Sequence, residues 1–320
     1  MKRDTYRNPE KGFVLEKTKP IFVFVVCVIS LWSLQSVAVA GTINVTCGPK
    51  ETIGNALNKL KPGDTLVVSG TCNENVVIYA EFNRITLDGQ GKATINGPDA
   101  NTAVISVVGR DVTIKGFTVR GGRGGISIIS GGMAVVDGNT VENTGSRGVQ
   151  VGQNSTAWII NNTIRNNPNN GIQIAGSSLA WIGFIGGGRE ITAPNTIQGN
   201  GAAGINVNRA SSARIHGNTI ADNNRAGVAV QGASQADIGG NAINSNRGEG
   251  ILVEGNSIVN LGSDTGSGLD ELPNTSGAPN SGFGIRCSIN SSADGRLGTL
   301  NGSKGAKDFS DTGCVDSLIP

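Results

Sequence analysis

The chain has 320 residues, 49 of them Gly and 34 Asn, with one His and a formal charge of +2. Collagen would need Gly at every third position, and 37% hydrophobic with 16% charged residues is enough apolar side chain to bury a core, so neither a triple helix nor a disordered chain fits. A single His excludes a multi-histidine metal centre within one chain, and removing residues 1–40 leaves 20 basic against 21 acidic residues, which argues against a nucleic-acid partner.

The first twenty residues are polar and basic, with Lys2, Arg3, Arg7, Lys11, Lys17 and Lys19. An apolar run, Ile21 to Trp32, follows, and Ala38-Val39-Ala40 has the small-x-small form of a cleavage site. Residues 1–40 therefore read as a secretory signal, and the mature chain as a secreted or periplasmic protein with no membrane attachment once the signal is removed. The alternative is an uncleaved anchor over 21–40, which Ser30, Ser33, Gln35 and Ser36 weaken. Cys27 leaves with the signal, and Cys47, Cys72, Cys287 and Cys314 remain. An even number of cysteines in an oxidising compartment implies two disulfides, and the sequence-local pairing is Cys47–Cys72 with Cys287–Cys314.

Residues 41–80 read as an N-terminal cap with the first strands. Thr52 to Leu60 places Ile53, Ala56, Leu57 and Leu60 on one helical face, and Lys61-Pro62-Gly63-Asp64 ends it, so a short amphipathic lid is expected there.

Residues 81–289 carry a repeat. Gly followed by an apolar-polar-apolar triplet recurs at Gly125-Ile126-Ser127-Ile128, Gly148-Val149-Gln150-Val151 and Gly171-Ile172-Gln173-Ile174. It continues at Gly204-Ile205-Asn206-Val207, Gly227-Val228-Ala229-Val230 and Gly250-Ile251-Leu252-Val253, with steps of 23, 23, 33, 23 and 23 residues. A second series, led by Asn139, Asn162, Asn195, Asn218 and Asn241, keeps the same spacing and the same single expansion. Short alternating strands separated by Gly/Asn turns cannot bury an apolar row alone, so each unit must stack on the next. The fold class is all-β: a parallel β-solenoid of about eight coils, with the Asn residues forming a ladder at a tight corner. Residues 290–320 lose the period and read as a C-terminal cap.

The Thr52–Leu60 segment leading to Pro62-Gly63-Asp64-Thr65, the Ile85-Thr86-Leu87-Asp88-Gly89 opening, and the Gly-Asn-Thr-Ile and Gly-Ile-x-Ile series resemble the pectin-lyase-like right-handed parallel β-helix superfamily, over roughly residues 42–290. That superfamily includes pectate lyases, polygalacturonases, alginate epimerases, surface adhesins and accessory proteins of copper-enzyme maturation. The resemblance implies a right-handed solenoid that acts on or touches polysaccharide. These motifs lie in turns and core, so they specify the fold and not the chemistry.

Hydrolysis of a glycosidic bond needs two carboxylates across it, and the outward column Ser127, Gln150, Gln173, Asn206, Ala229, Leu252 has none. The Asp-Pro-His-Asp motif of alginate epimerases is absent, and no acidic cluster stacks in the regular coils. Asp264, Asp270 and Glu271 share a Gly-rich loop and are the one candidate for Ca²⁺, with a plain solvated loop as the alternative; no other cofactor is expected.

The neighbouring strand aligns as Thr113, Val135, Trp158, Trp181, Arg214, Asp237, Asn260. Trp158 and Trp181 are expected one coil apart and facing outward, beside an expansion at 183–194 that holds Arg189 and Glu190. Two readings stay open. The rings and Arg214, Asp237 and Glu190 form a sugar-binding platform, or the expansion folds down over both rings and Arg214–Asp237 is an ordinary cross-coil ion pair. The functional expectation is binding of an extracellular or cell-wall polysaccharide. The rivals are a polysaccharide lyase acting on a uronate-containing glycan, using Arg189, Arg214 or His216 as basic groups, and a purely structural envelope or surface module.

Overall fold

The computed structural model describes residues 40–186, 191–262 and 272–319. Residues 1–39 of the expected signal at 1–40, Arg189, Glu190, and the candidate cation ligands Asp264, Asp270 and Glu271 lie outside the described residues. Among the described residues, no helix is long and apolar enough to cross a membrane.

Each regular coil lays down three short strands. The first face stacks Met133–Asp137, Thr156–Ile160, Leu179–Ile182, Ser212–His216 and Gln235–Gly239, all parallel and in register. The second stacks Thr140–Thr144, Thr163–Arg165, Thr196–Gln198, Thr219–Ala221 and Ala242–Asn244. Thr86–Gly97 and Val112–Gly121 run around the corner between these faces without a break, joining them into one eighteen-stranded sheet. The third face is a separate ten-stranded sheet that includes Gly124–Ile128, Val149–Gly152, Ile172–Ala175, Ile205–Asn208, Val228–Gln231 and Ile251–Glu254.

Alternation turns every second side chain inward, and register stacks like on like. Val136, Ile159, Ile182, Ile215 and Ile238 form one fully buried row; Val149, Ile172, Ile205, Val228 and Ile251 form another. The interior is one continuous hydrophobic core running the length of the solenoid. Each buried Ile or Val contributes on the order of 2 kcal/mol of transfer free energy, offset by the cost of ordering its coil.

Corners are held by side-chain ladders. The Asn139 N–H donates to Asn162 Oδ1 (2.9 Å), that of Asn162 to Asn195 Oδ1 (2.9 Å), and that of Asn218 to Asn241 Oδ1 (2.9 Å). A second buried Asn ladder, Asn167, Asn200, Asn223, Asn246 and Asn280, and a serine ladder through Ser178, Ser211, Ser234 and Ser257 hold the other two corners. The backbone N–H of each of these ladder residues thus meets a side-chain oxygen from the adjacent coil, which fixes the register coil by coil.

The stack has about twelve coils rather than the eight expected. The additional levels, such as Thr42–Thr46 on Thr65–Ser69 and Ser292–Arg296 on Val315–Ile319, pair in parallel but lack the Gly and Asn corner residues that mark the repeat. The capping helix is Ile53–Leu57, shorter than the expected Thr52–Leu60. Its last turn tightens, with Lys59 N–H donating to Ala56 O (2.9 Å) and Leu60 N–H to Leu57 O (3.0 Å), before Pro62-Gly63. Its N-terminus is held by Thr52 and by the Glu74 carboxylate, which accepts from the Ile53 and Gly54 N–H groups at 2.7 and 3.0 Å. The helix buries Ile53, Ala56 and Leu57 against the first coils.

Cys47–Cys72 and Cys287–Cys314 are both bonded, in the pairing expected from the sequence. Ile285–Ser288 pairs with Ile251–Glu254 in the expected register, Ile251 opposite Ile285, so the stack continues across this longer step of the repeat.

Candidate functional site

The aromatic column lies on the first face. Register places Trp158 opposite Trp181, Trp181 opposite Arg214, and Arg214 opposite Asp237. Both indoles are half-buried, and they stack on one another with centroids 4.5 Å apart and planes 9° apart. Their planes therefore face along the solenoid axis, each ring covers one face of the other, and edges point to solvent. A saccharide running along the axis meets ring edges there, not the two side-by-side faces that a stacking platform requires.

The expansion leaves the coil at Gly183. Its φ of +95° is open to glycine, and a Cβ there would lie 2.1 Å from the His216 carbonyl oxygen. The stem pairs Phe184–Ile185 with Ile191–Thr192 as an antiparallel hairpin. Phe184 is fully buried against the His216 ring, 4.9 Å between centroids, and the Arg214 guanidinium carbon lies 5.2 Å over its ring. The described stem thus packs onto the coil of Arg214 and His216 and leaves both Trp rings half-buried. Arg214 Nε lies 3.8 Å from Asp237 Oδ2, and His216 is only 1% exposed. That burial places the imidazole in the packing under the hairpin, away from a solvent-borne substrate.

The outer face of the ten-stranded sheet has different chemistry. Val149 and Val151 point inward and Gln150 outward; the same alternation projects Gln173 one coil on and Asn206 after it. Arg123 and Arg147 stand just before the strands Gly124–Ile128 and Val149–Gly152, and Arg209 just after Ile205–Asn208. Arg123, Arg147, Ser127, Gln150 and Gln153 line a groove of about 340 Å³. Burial, then the positive fields of Arg123 and Arg209, hold the Arg147 guanidinium below the usual arginine range. Its Nε is buried with no hydrogen-bond partner. Among the described residues, no ion pair or side-chain hydrogen bond offsets these three guanidiniums.

The amides beside them are also incompletely paired. Gln173 is 8% exposed and its Oε1 accepts no bond; Asn206 is 7% exposed and its Oδ1 accepts none. Asn206 Nδ2 donates to Gln231 Oε1 (2.9 Å), and Gln231 in turn donates to Glu254, so the Asn206 amide is held with its oxygen left over. Buried, orphaned acceptors beside uncompensated guanidiniums form a surface that lacks hydroxyl donors and anionic acceptors.

No sequence motif marks this groove: the Gln150–Gln173–Asn206 column holds no carboxylate, and Arg123, Arg147 and Arg209 belong to no catalytic motif. The available signal was the place of Arg123 and Arg147, two and one residues before the repeated Gly125 and Gly148, which brings them to adjacent coils. Among the described residues, the one grouping of potential metal ligands is Cys47, Cys72 and Glu74, where both sulfurs are committed to a disulfide and the carboxylate caps the helix.

A family model described as a right handed beta helix region matches residues 103–265. The chain belongs to this family. No curated protein sequence matches it. Among solved structures, this right-handed β-helix protein is similar to the A-module of the mannuronan C-5 epimerase AlgE4 from Azotobacter vinelandii, at 16% identity and a TM-score of 0.52, covering 87% of this chain and 85% of that one. It is also similar to pectate lyase Pel9A, at 13% identity and a TM-score of 0.55, covering 87% of this chain and 82% of that one. A mutant of the periplasmic alginate epimerase AlgG gives 13% identity and a TM-score of 0.50, covering 87% of this chain and 84% of that one. At these identities the likeness establishes the fold of the β-helix protein.

Proposed function

We propose that the protein is an extracytoplasmic binder of polysaccharide that holds one glycan chain along the outer face of the ten-stranded sheet. The observation that carries this reading is the buried Gln173 amide, whose Oε1 has no partner, in a face shared with the uncompensated Arg147. Glycan hydroxyls donate to such amide oxygens, and sugar carboxylates take bidentate bonds from such guanidiniums. Coils repeat about every 4.8 Å, close to the length of one pyranose, so successive sugars meet successive side chains of one column. The solved structures with this fold include enzymes named for pectate and alginate, which supports a polysaccharide partner for this chain. Two disulfides support a compartment outside the cytoplasm.

Binding is favoured over catalysis by the groove's own lining. It presents guanidinium, amide and hydroxyl groups, the donors and acceptors that hold sugar carboxylates and hydroxyls. The Trp158–Trp181 pair is assigned to stiffening the stack. Equilibrium binding of the purified protein to an array of neutral and acidic glycans tests the reading: retention of acidic polysaccharides that is lost in Arg147→Gln supports it, and a blank array removes it. Release of an unsaturated uronate product, followed by its ultraviolet absorbance, would replace binding with lyase action.

A further inference from the structure

Three amide oxygens on the outer face of the ten-stranded sheet are buried without a hydrogen-bond partner: Gln173 Oε1, Asn206 Oδ1 and Asn208 Oδ1. Register gathers them into one patch. Gln173 lies directly opposite Asn206 in the parallel ladder, about 4.8 Å away at the backbone. Asn208 is two residues along the Asn206 strand and so shares its outward side, about 6.6 Å on.

A chain of amides ending on a carboxylate sets which way the Asn206 oxygen points. Asn206 Nδ2 donates to Gln231 Oε1 (2.9 Å), and Gln231 Nε2 donates to the Glu254 carboxylate. An ionised carboxylate only accepts, so Gln231 turns its NH2 to Glu254 and its oxygen to Asn206. Asn206 then gives its own NH2 to Gln231, and its oxygen is left over as an acceptor. Arg147 and Arg209 stand on the coils either side of Gln173, at opposite ends of its strand, and the field of Arg209 reaches Arg147. Both guanidiniums would repel a metal cation, so the donor that suits these oxygens is a neutral hydroxyl.

We propose that Gln173, Asn206 and Asn208 form a subsite that reads the free ring hydroxyls of one sugar, with Glu254 as the positioning residue that sets the polarity of its acceptors. This inference rests on the groove being a polysaccharide site, and it adds the hydroxyl pattern to the carboxylate already assigned to Arg147. A sugar carboxylate draws the guanidiniums outward, and the uncovered amide oxygens accept from neighbouring hydroxyls at about 2.7 Å. An esterified hydroxyl has no proton to give and leaves the buried oxygens unpaired.

The test is calorimetric titration with polygalacturonate and with the same polymer O-acetylated on its ring hydroxyls, for the wild type, Glu254→Gln and Asn206→Leu. Melting temperature and β-sheet circular dichroism check each fold. The wild type prefers the unacetylated polymer by about tenfold. Glu254→Gln lowers that preference to about twofold, because the substituted amide can accept as well as donate and no longer dictates how Gln231 and Asn206 turn. Asn206→Leu brings it to near parity. Should Asn206→Leu fail to fold, Glu254→Gln, at a half-buried position, reports alone. A preference of the same size in the wild type and both variants arises from the bulk of the acetyl groups and overturns the subsite while leaving the groove in place. Equal affinity of the wild type for the two polymers does the same. Failure of both polymers to bind overturns the groove itself.

Discussion

Trp158 and Trp181 are stacked face to face one coil apart, 4.5 Å between centroids and 9° between planes. This is the geometry of a cross-strand aromatic pair, worth roughly 0.5–1.5 kcal/mol beyond area burial. Trp181→Ala is therefore expected to lower stability by about 1–2 kcal/mol in urea unfolding and to leave glycan affinity unchanged. Loss of affinity without loss of stability would return the ligand to this face.

Asn218 tests the ladder. Its Nδ2 donates to the carbonyls of Ile182 and His216, both at 3.0 Å, and its Oδ1 accepts from the Asn195 backbone N–H at 3.1 Å. Asn218→Ala leaves buried groups on two coils unpaired, and the expected cost is about 3 kcal/mol. Asn224, which is exposed, serves as control, with Asn224→Ala expected to change stability by less than about 0.5 kcal/mol. Equal effects would show that the amides add little to corner stability.

The two disulfides close segments with sequence separations of 25 and 27 residues. Removing either pair as Cys→Ser is expected to cost about 3 kcal/mol. Cys47–Cys72 links the first coils beside the helix, and Cys287–Cys314 spans the last levels. Hydrogen exchange should therefore accelerate at the end whose pair is removed and stay slow in the middle coils. Uniform acceleration would contradict separate end locks.

Asp64 gives the pH dependence. Its carboxylate accepts from the Lys61 and Gly41 backbone N–H groups, at 2.8 and 2.7 Å, and these bonds hold its pKa below the ordinary carboxylate value. A depressed folded-state pKa means that the unfolded chain binds the proton first. The stabilisation is complete above the unfolded value of about 3.9 and is lost as pH falls through the folded value. Asp64→Asn should remove that part of the acid sensitivity, read as a flatter melting temperature against pH below about 5. An unchanged acid limb would place the sensitivity elsewhere.

Much of the fold was legible because stacking repeats its demands. At each step of the repeat an inward Ile or Val meets its copy, and each corner reuses its own residue, Asn at two corners and Ser at the third. Thr65–Ser69 and Ser292–Arg296 stack by alternation alone, so the end coils carry no signature to count. The spacing of Trp158 and Trp181 gave their adjacency, but ring orientation depends on χ angles that packing selects. The groove was hidden for a related reason: Gln173 reads as a solvent-facing residue in its strand, and its burial comes from side chains one coil away on either side.

The central claim is that the Arg147–Gln173 face holds an acidic polysaccharide, and the most direct measurement is affinity for polygalacturonate in the wild type, Arg147→Gln, Gln173→Ala and Trp181→Ala, each checked for an unchanged fold. The account predicts a loss of about tenfold or more for Arg147→Gln, a smaller loss for Gln173→Ala, and wild-type affinity for Trp181→Ala. Affinity unchanged in Arg147→Gln and lost in Trp181→Ala would contradict it.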